Sequence, residues 1–325
     1  MIRILLTIAV SYGVSALLGH FLLPVLRALK AGQSVRSIGP TWHNSKAGTP
    51  LMMGLMFIGG TLILLLLNLP GTVEYSAFYV YVLAFCFGAI GFLDDYCKVK
   101  KKRDMGLTAI QKSLLQAAVS AVFLYTLYME GILTCDLYIP FFNVTFYIPP
   151  AVYLLFSMFI IVGTVNAVNL TDGIDGLSAS VTIPVMVFFA AAALAVDREE
   201  LAVLPAAMIG GLLAFLGLNW HPAKAFMGDT GSLFMGGVVC GLAYAMDMPL
   251  ILVFVGFVYL VETLSVILQV SYFKLTHGKR LFKMSPIHHH FEMSGWKEEK
   301  IVLSFAGVSA IMCIVAWLSI SGLVR

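Results

Sequence analysis

The chain has 325 residues, of which 60% are hydrophobic and 11% charged, with a mean hydropathy of +0.94 and a formal net charge of +3. A water-soluble globular domain of this length does not combine so few charges with so much apolar surface. The composition therefore excludes a soluble protein and indicates one that lies in a lipid bilayer.

Long apolar stretches recur along the whole sequence. A helix needs about 20 mostly apolar residues to cross a bilayer, and we predict about ten such helices, at residues 2–29, 48–69, 75–93, 110–129, 148–168, 177–196, 201–219, 230–247, 249–273 and 301–323. The predicted fold is an all-α polytopic membrane protein that forms a single integral-membrane domain over residues 1–325.

The lysines and arginines are distributed unevenly between the two sides that ten alternating spans define. Seventeen of the twenty fall on one side, whereas only Arg3, Arg198 and Arg325 fall on the other. Because basic connections stay in the cytoplasm, both termini are predicted to face outward. The outward connection 130–149 has two short runs rich in Thr, Tyr, Phe and Val, which predict a small extracytoplasmic β-hairpin.

Two adjacent acids, Asp94 and Asp95, follow the third apolar stretch directly and are predicted at the cytoplasmic, C-terminal end of its helix. The helix dipole presents partial negative charge there and disfavours an anion by roughly 0.3–1 kcal/mol. A cation must offset the two charges, and the candidates are a divalent metal ion or the ammonium group of Lys98, one helical turn later. The alternative is a solvated aspartate pair that ends the helix.

A second polar cluster lies between the fifth and sixth spans. Asn166 and Asn169 share a helical face there, and Asp172 and Asp175 belong to two Asp-Gly pairs that predict a tight turn. Either aspartate alone could be a turn former or a helix N-cap. So many polar side chains are costly near lipid without a partner, which favours a functional role.

A third cluster precedes the eighth span, where Asp229 lies among Gly228, Gly231 and Ser232. These small residues permit close backbone approach at a helix N-terminus, which is a natural place for phosphate. Asp229 could also be only a helix cap.

The fourth cluster is a run of three histidines, His288, His289 and His290, in the longest cytoplasmic connection. All four clusters share one side of the membrane and predict a metal-dependent reaction on a phosphorylated, partly water-soluble substrate. Carboxylate oxygens suit Mg²⁺ or Mn²⁺. Glu262, near the centre of the ninth span, is either functional or a structural acid, and we do not assign it to the site.

These clusters resemble the motifs of a known family, the polyprenyl-phosphate N-acetylhexosamine-1-phosphate transferases. The triple histidine followed by Phe and Glu is similar to the muramoyl-pentapeptide branch of that family. The resemblance covers nearly the whole chain and rests on residues 46–50, 94–98, 166–177, 226–229 and 286–292.

The resemblance implies a reaction and its partners. Undecaprenyl phosphate would attack the β-phosphorus of UDP-MurNAc-pentapeptide, release UMP and form lipid I, a peptidoglycan precursor, with Mg²⁺ as the cofactor. The family also implies a homodimer in the bacterial plasma membrane, an active site on the cytoplasmic side and no nucleic-acid partner. One substrate is confined to the bilayer and the other to the cytosol, so the two can meet only at the inner interface.

The resemblance also suggests a role for each candidate residue. Asp229 is the best Mg²⁺ ligand, one of Asp94 and Asp95 would deprotonate or orient the lipid phosphate while the other helps to hold the metal, and His288 is a further catalytic group. A direct displacement and a two-step route through an aspartyl-phosphate both fit these residues. Phe226 would stack on the uracil base, and Lys98, Lys102 and Lys112 would meet phosphate, with Lys46 nearby. The expected substrate-binding residues are Lys46, Lys98, Lys102, Lys112, Asn166, Asn169, Asp172, Asp175, Asn219, Phe226, His289 and His290.

Two other interpretations of the sequence are retained. A sister transferase that uses UDP-N-acetylglucosamine would share most of these motifs. A membrane transporter would place charged groups near the midplane and often contains internal repeats, whereas here only Glu262 is central and no repeat is found.

Overall fold

The computed structural model describes residues 1–29, 46, 48–68, 75–101 and 106–320. This part of the chain forms helices joined by short connections and one antiparallel pair of strands, which confirms the predicted all-α polytopic fold. The elements in chain order are α1 (Ile2–Ala28), α2 (Leu55–Asn68), α3 (Tyr75–Lys101), α4 (Ala109–Met129), β1 (Asp136–Ile139), β2 (Val144–Tyr147), α5 (Pro150–Thr171), α6 (Leu177–Ala195), α7 (Glu199–Asn219), α8 (Gly228–Ala245), α9 (Leu252–Val255), α10 (Phe257–Leu275), α11 (Ile287–Glu292) and α12 (Glu298–Ile320).

Each predicted apolar stretch corresponds to a helix in the described part of the chain, and eight of these helices are long and apolar enough to cross a membrane. The two that fall short are α2, with 14 residues, and α8, in which five of the 18 residues are glycine. All residues of α8 except Asp229 are buried. Since α8 faces other helices rather than lipid, small residues serve it better than large apolar ones.

The ninth predicted span, 249–273, is not one continuous helix. A 3₁₀ turn at Pro249–Ile251 leads into the short helix α9, and the chain breaks again at Gly256 before α10 begins. Proline lacks the N–H that would continue a preceding helix, and glycine has a low helix propensity. Glu262 therefore lies in the second turn of α10 rather than at the middle of one long helix.

The centre of the bundle is α8, which packs along α3, α5 and α2. Phe234 of α8 contacts both Phe57 of α2 and Phe85 of α3. Nearer the start of α8, a Cβ atom on Gly91 of α3 would overlap the backbone of Asp229. The two helices therefore touch backbone to backbone, which fixes the first turn of α8 beside the C-terminal turns of α3.

The predicted β-hairpin is confirmed, with β1 and β2 antiparallel and Asp136 opposite Tyr147. Just before β1, the Thr134 hydroxyl donates a hydrogen bond to Asp247 Oδ2 at 2.6 Å. Asp247 follows the C-terminus of α8, whereas Asp229 lies in its first turn. The hairpin and the residues around Asp229 are thus at opposite ends of the central helix.

Candidate active site

Three carboxylates meet where α3 packs against the first turn of α8. One oxygen from each of Asp94, Asp95 and Asp229 lies within 4.8 Å of the others, and we call these residues the acidic cluster. Helix α3 continues to Lys101, past the predicted end at residue 93, so Asp94 and Asp95 lie on the helix itself. The structure thus brings together the three residues predicted to hold the metal.

Two lysines offset most of the charge of the acidic cluster. Lys98 Nζ lies 2.7 Å from Asp94 Oδ2, 3.5 Å from Asp95 Oδ1 and 3.0 Å from Asp229 Oδ2. Lys112 Nζ, from the start of α4, lies 2.8 Å from the same Asp229 oxygen. Since ion pairs in a partly buried site are weakly screened, a phosphate would compete with these carboxylates for the two ammonium groups.

The N-terminus of α8, which the sequence suggested as a place for phosphate, holds the Asp95 carboxylate. Asp95 Oδ2 accepts hydrogen bonds from the Thr230 backbone N–H at 2.9 Å and from the Thr230 hydroxyl at 2.7 Å. The partial positive charge at this helix end stabilises the carboxylate. Because α3 continues to Lys101, Asp95 is not in its last turn, and the dipole penalty expected from the sequence does not apply. Asp229 is not a helix cap, because Met227 holds the N-cap position.

Of the two candidate asparagines in α5, only Asn169 contacts the acidic cluster. Its Nδ2 donates to Asp229 Oδ1 at 2.8 Å and to Ser232 Oγ at 2.7 Å. The Asn166 Nδ2 donates instead to Gln116 Oε1 at 2.7 Å, within a reciprocal amide pair that links α5 to α4. The structure therefore places Asn166 beside the cluster rather than in it.

A second polar group, which we call the Lys46 cluster, consists of Lys46, Asp175, His221 and Glu298. Lys46 Nζ lies 2.8 Å from Asp175 Oδ1 and 2.7 Å from Glu298 Oε2, and His221 Nδ1 lies 2.9 Å from Asp175 Oδ2. Burial lowers the pKa of Lys46, but its hydrogen bonds to Asp175 and Glu298 outweigh this effect and raise that pKa above its usual value. One ligand atom from each of Asp175, His221 and Glu298 lies within 4.8 Å of the others, and Lys46 supplies positive charge to this group.

Asp175 is not the N-cap of α6, because Gly176 takes that position. The Asp175 side chain is only 1% exposed and also accepts the Ala223 N–H at 3.0 Å. Asn219 links this turn to the connection after α7. Its Oδ1 accepts the Gly176 N–H at 2.9 Å, and its Nδ2 donates to the Ala225 carbonyl at 2.9 Å. The predicted residues Asp175 and Asn219 thus lie close together, where the turn before α6 contacts the end of α7 and the connection that follows it.

Phe226 is held by the chain that precedes α2. Its N–H donates to the Pro50 carbonyl at 2.8 Å, and its carbonyl accepts the Met53 N–H at 2.9 Å. The Phe226 side chain is partly buried against the core. Its stacking on a base stays a prediction.

The first histidine of the run points into the protein. His288 Nδ1 lies 3.0 Å from Glu262 Oε2, and both side chains are fully buried. On the other side of the ring, a Cβ atom on Gly173 would overlap Nε2. His288 therefore lies between α10 and the turn that contains Asp172.

The next two histidines have local partners. His289 Nδ1 lies 2.5 Å from Glu292 Oε2, one turn later in α11. His290 Nδ1 accepts the Lys283 N–H at 3.1 Å. His290 thus braces its own loop, and the structure places it with neither polar cluster.

Asp172 lies within electrostatic reach of both polar clusters. Burial, and then the negative charges of Asp229, Asp95 and Asp175, raise the pKa of Asp172 to about 8. Such a shift is common at functional sites. Lys102, the remaining candidate, lies outside the described residues.

The acidic cluster has the donor chemistry that a hard divalent cation requires. Its three carboxylates converge, and Asp95 Oδ1 accepts no hydrogen bond from the described part of the chain. Mg²⁺ prefers oxygen ligands and is commonly held by one or two carboxylates together with substrate phosphates. The residues present therefore fit the ion.

Sequence reasoning missed Glu298, gave His221 no role and left Glu262 outside the site. Glu298 begins α12, where an acid resembles an ordinary first-turn residue that complements the helix dipole. Glu262 had a usable signal, because a carboxylate inside an apolar stretch needs a partner. That partner is 26 residues away, so it is found only in three dimensions.

A polytopic helical fold with buried acids and bases gathered at one end defines a membrane-embedded enzyme. A family model described as glycosyl transferase family 4 matches residues 77–247, which include the acidic cluster. Curated relatives named phospho-N-acetylmuramoyl-pentapeptide-transferase are 45% identical over 317 residues in Clostridium acetobutylicum, 45% over 323 residues in Clostridium perfringens and 46% over 327 residues in Caldanaerobacter subterraneus. Each alignment covers 98% of this chain and 99% of the relative. The chain therefore belongs to glycosyl transferase family 4 and to the phospho-N-acetylmuramoyl-pentapeptide-transferases.

The family predicted from the sequence motifs is thus confirmed. The chain is a phosphosugar transferase and a multi-pass membrane protein.

Proposed function

We propose that this chain transfers phospho-MurNAc-pentapeptide from UDP-MurNAc-pentapeptide to undecaprenyl phosphate, which releases UMP and forms lipid I. The observation that carries the proposal is the acidic cluster with its two lysines at one end of a membrane bundle, in a chain 45% identical to transferases of that name. The Lys46 cluster lies near the acidic cluster, since carboxylates of both clusters raise the pKa of Asp172.

The site belongs to the cytoplasmic face of a bacterial plasma membrane in this proposal. Seventeen of the twenty basic residues fall on the side of the acidic cluster, which supports a cytoplasmic location through the positive-inside rule. A lipid phosphate held in the bilayer and a nucleotide dissolved in the cytosol can meet only there.

In the reaction, a phosphate oxygen of the lipid attacks the β-phosphorus of the nucleotide sugar. A new P–O–P bond forms, the bond between the α- and β-phosphates breaks, and its electron pair leaves with UMP. Asp94 or Asp95 would orient the attacking phosphate and take its proton if it carries one. Lys98 and Lys112, which contact Asp229 in the free enzyme, would face the charge of the diphosphate.

Mg²⁺ would be held by Asp229 with Asp94 and Asp95. When bound, it neutralises pyrophosphate charge and stabilises the leaving phosphate. The chain's own contribution is to hold three carboxylates together through the packing of α3 on α8 and the hydrogen bond from Asn169.

The nucleotide would bind on the side of the Lys46 cluster. The turn that contains Asp175 contacts Asn219 at the end of α7, and Phe226 lies on the connection that follows α7. The proposed contacts are hydrogen bonds from uridine to these polar groups and stacking of uracil on Phe226. Lys46 would leave Glu298 to meet phosphate, and Asp172 and His289 would complete the pocket.

We further propose that residues 1–325 act as one catalytic domain and that the chain forms a homodimer. Exposed apolar side chains on α1, such as Leu5, Leu17 and Phe21, are able to face lipid or a second copy. The mass of the detergent-solubilised protein, corrected for bound detergent, tests this: twice the chain mass supports it and the single-chain mass overturns it.

One assay tests the main proposal. Purified protein receives undecaprenyl phosphate and Mg²⁺ with either UDP-MurNAc-pentapeptide or UDP-N-acetylglucosamine, and UMP release is measured with and without EDTA. We expect UMP only from the muramoyl-pentapeptide substrate and only without the chelator. Release from UDP-N-acetylglucosamine alone would identify the sister transferase, and release from neither would reject the transferase.

A further inference from the structure

Glu262 is a fully buried carboxylate in a membrane-spanning helix, and its hydrogen-bond partner comes from outside that helix. Its Oε2 lies 3.0 Å from His288 Nδ1, and His288 belongs to α11 in the cytoplasmic connection. A buried acid is costly unless it is paired or protonated. Loss of this contact would leave a buried carboxylate without its partner. The contact also links α10 to the candidate active site, because the His288 ring lies against Gly173.

The opposite nitrogen of the His288 ring, Nε2, is buried. With Nδ1 held by Glu262, Nε2 is the only remaining polar atom of the ring, and it has no hydrogen-bond partner among the described residues. An unsatisfied buried polar group costs about 1–3 kcal/mol, so such an atom needs an explanation, for which a bound water, an ion or a catalytic role are the usual candidates.

Nε2 faces the turn that links the two polar clusters. Gly173 lies so close that any side chain there would overlap Nε2. Asp172, the preceding residue, feels the charges of Asp229, Asp95 and Asp175. The same turn follows Asn169, which donates to Asp229, and precedes Asp175, which contacts Lys46. A group bound against this turn would therefore lie between the acidic cluster and the Lys46 cluster.

We propose that Glu262 is a positioning residue that holds His288 so that Nε2–H donates a hydrogen bond to a phosphate oxygen of the nucleotide sugar. The Nδ1–H donates to the Glu262 carboxylate, and this contact fixes the orientation of the ring. Glu262 touches no substrate and acts only through His288. This inference rests on the proposed function, because it needs a phosphorylated substrate at the turn.

The rival explanation is that the pair only fastens α11 to α10. A fastening role predicts that loss of activity follows loss of stability. A positioning role predicts that Glu262→Gln, which keeps the shape and a hydrogen-bond acceptor but removes the charge, lowers turnover without lowering the melting temperature. Removal of the partner that orients a metal-bound histidine typically costs about 10- to 100-fold, and we expect a similar loss here.

The test is a double-mutant cycle with UMP release and melting temperature as readouts. Glu262→Gln and His288→Gln should each lower kcat about tenfold or more, and the double variant should be no slower than His288→Gln alone. Ser265→Ala, which removes a buried hydroxyl that donates to the Glu262 backbone carbonyl but leaves the Glu262 carboxylate unchanged, is the matched control and should keep wild-type kcat. Gly173→Ala provides a second route, because it displaces the ring while leaving Glu262 in place, and its loss should likewise vanish in the His288→Gln background.

The outcomes distinguish failure of the positioning role of Glu262 from failure of the proposed function. If wild-type protein releases UMP but the losses from Glu262→Gln and His288→Gln multiply, or Glu262→Gln keeps full kcat, the positioning role is overturned and the proposed function stands. A kcat loss matched by a fall in melting temperature, with Gly173→Ala fully active, also overturns it. If the wild type releases no UMP from either nucleotide sugar, both proposals fail.

Discussion

Lys98 in α3 and Asp229 in α8 are 131 residues apart in sequence, yet Lys98 Nζ lies 3.0 Å from Asp229 Oδ2. The same ammonium group also contacts Asp94 and Asp95. Lys98 is thus the counter-ion of the whole acidic cluster in the free enzyme. During the proposed reaction it would have to share its charge with phosphate.

Replacing Lys98 by Met should therefore affect turnover and metal affinity in opposite directions. Loss of a cation that faces developing phosphate charge should lower kcat by roughly 100-fold or more. The carboxylates would then face fewer competing cations, so half-maximal activity should need less Mg²⁺. A Mg²⁺ titration of UMP release measures both effects. Lys100→Met, an exposed lysine of the same helix, should change neither, and a higher Mg²⁺ requirement in Lys98→Met would contradict the argument.

Asp229 joins the acidic cluster, both lysines and Asn169, so its charge is central to the proposed site. We expect Asp229→Asn to reduce UMP release by at least about 100-fold, because the uncharged amide is a poor ligand for Mg²⁺. Asp136→Asn, on the hairpin at the other end of α8, should keep wild-type release. Near-native turnover of Asp229→Asn at saturating Mg²⁺ would remove this residue from the catalytic group.

Much of this architecture could be predicted because a bilayer restricts the chain so strongly. The apolar stretches, the hairpin at 130–149 and the shared side of the four clusters all follow from hydropathy and charge. The break at Gly256 was missed, since an apolar run gives little sign of where its backbone hydrogen bonds are interrupted.

The composition of the site was harder to predict than its location. Asp94, Asp95 and Asp229 were named from sequence, but the helix dipole argument did not foresee that the N-terminus of α8 would stabilise Asp95. Glu298 and Gln116 escaped notice because a single acid or amide at a helix end has ordinary explanations. Their roles arise from contacts between helices that are distant in sequence.

The Lys46 cluster predicts a non-additive effect on stability. Lys46→Met would leave the nearly buried carboxylates of Asp175 and Glu298 without their shared cation, which we expect to cost roughly 2–4 kcal/mol. Adding Glu298→Gln should recover part of that loss, because it removes one of the two like charges. Melting temperatures of the detergent-solubilised variants test this, and a double variant less stable than Lys46→Met would contradict it.

Asp172 predicts a pH dependence of stability in the metal-free protein. Its pKa in the folded protein is raised to about 8, against about 3.8 for an exposed aspartate. Between these values the folded state keeps a proton that the unfolded state has lost, so the unfolding free energy falls as pH rises from about 4 to about 8. In EDTA, the fall in melting temperature between pH 5 and pH 8 should be smaller for Asp172→Asn than for wild type. Asp136→Asn should retain the wild-type fall, and identical slopes for all three proteins would show that Asp172 is not protonated in the folded state.

The contact between Gly91 and the Asp229 backbone predicts a steric effect at the site. A methyl group on Gly91 would push α3 away from the first turn of α8, and such overpacking typically costs about 1–3 kcal/mol. Gly91→Ala should therefore lower both the melting temperature and UMP release, because α3 carries Asp94 and Asp95 whereas α8 carries Asp229. Gly13→Ala in α1 is the matched control, since a methyl group there meets nothing within 4 Å. A fully active and stable Gly91→Ala would mean that the cluster does not depend on close packing of α3 on α8.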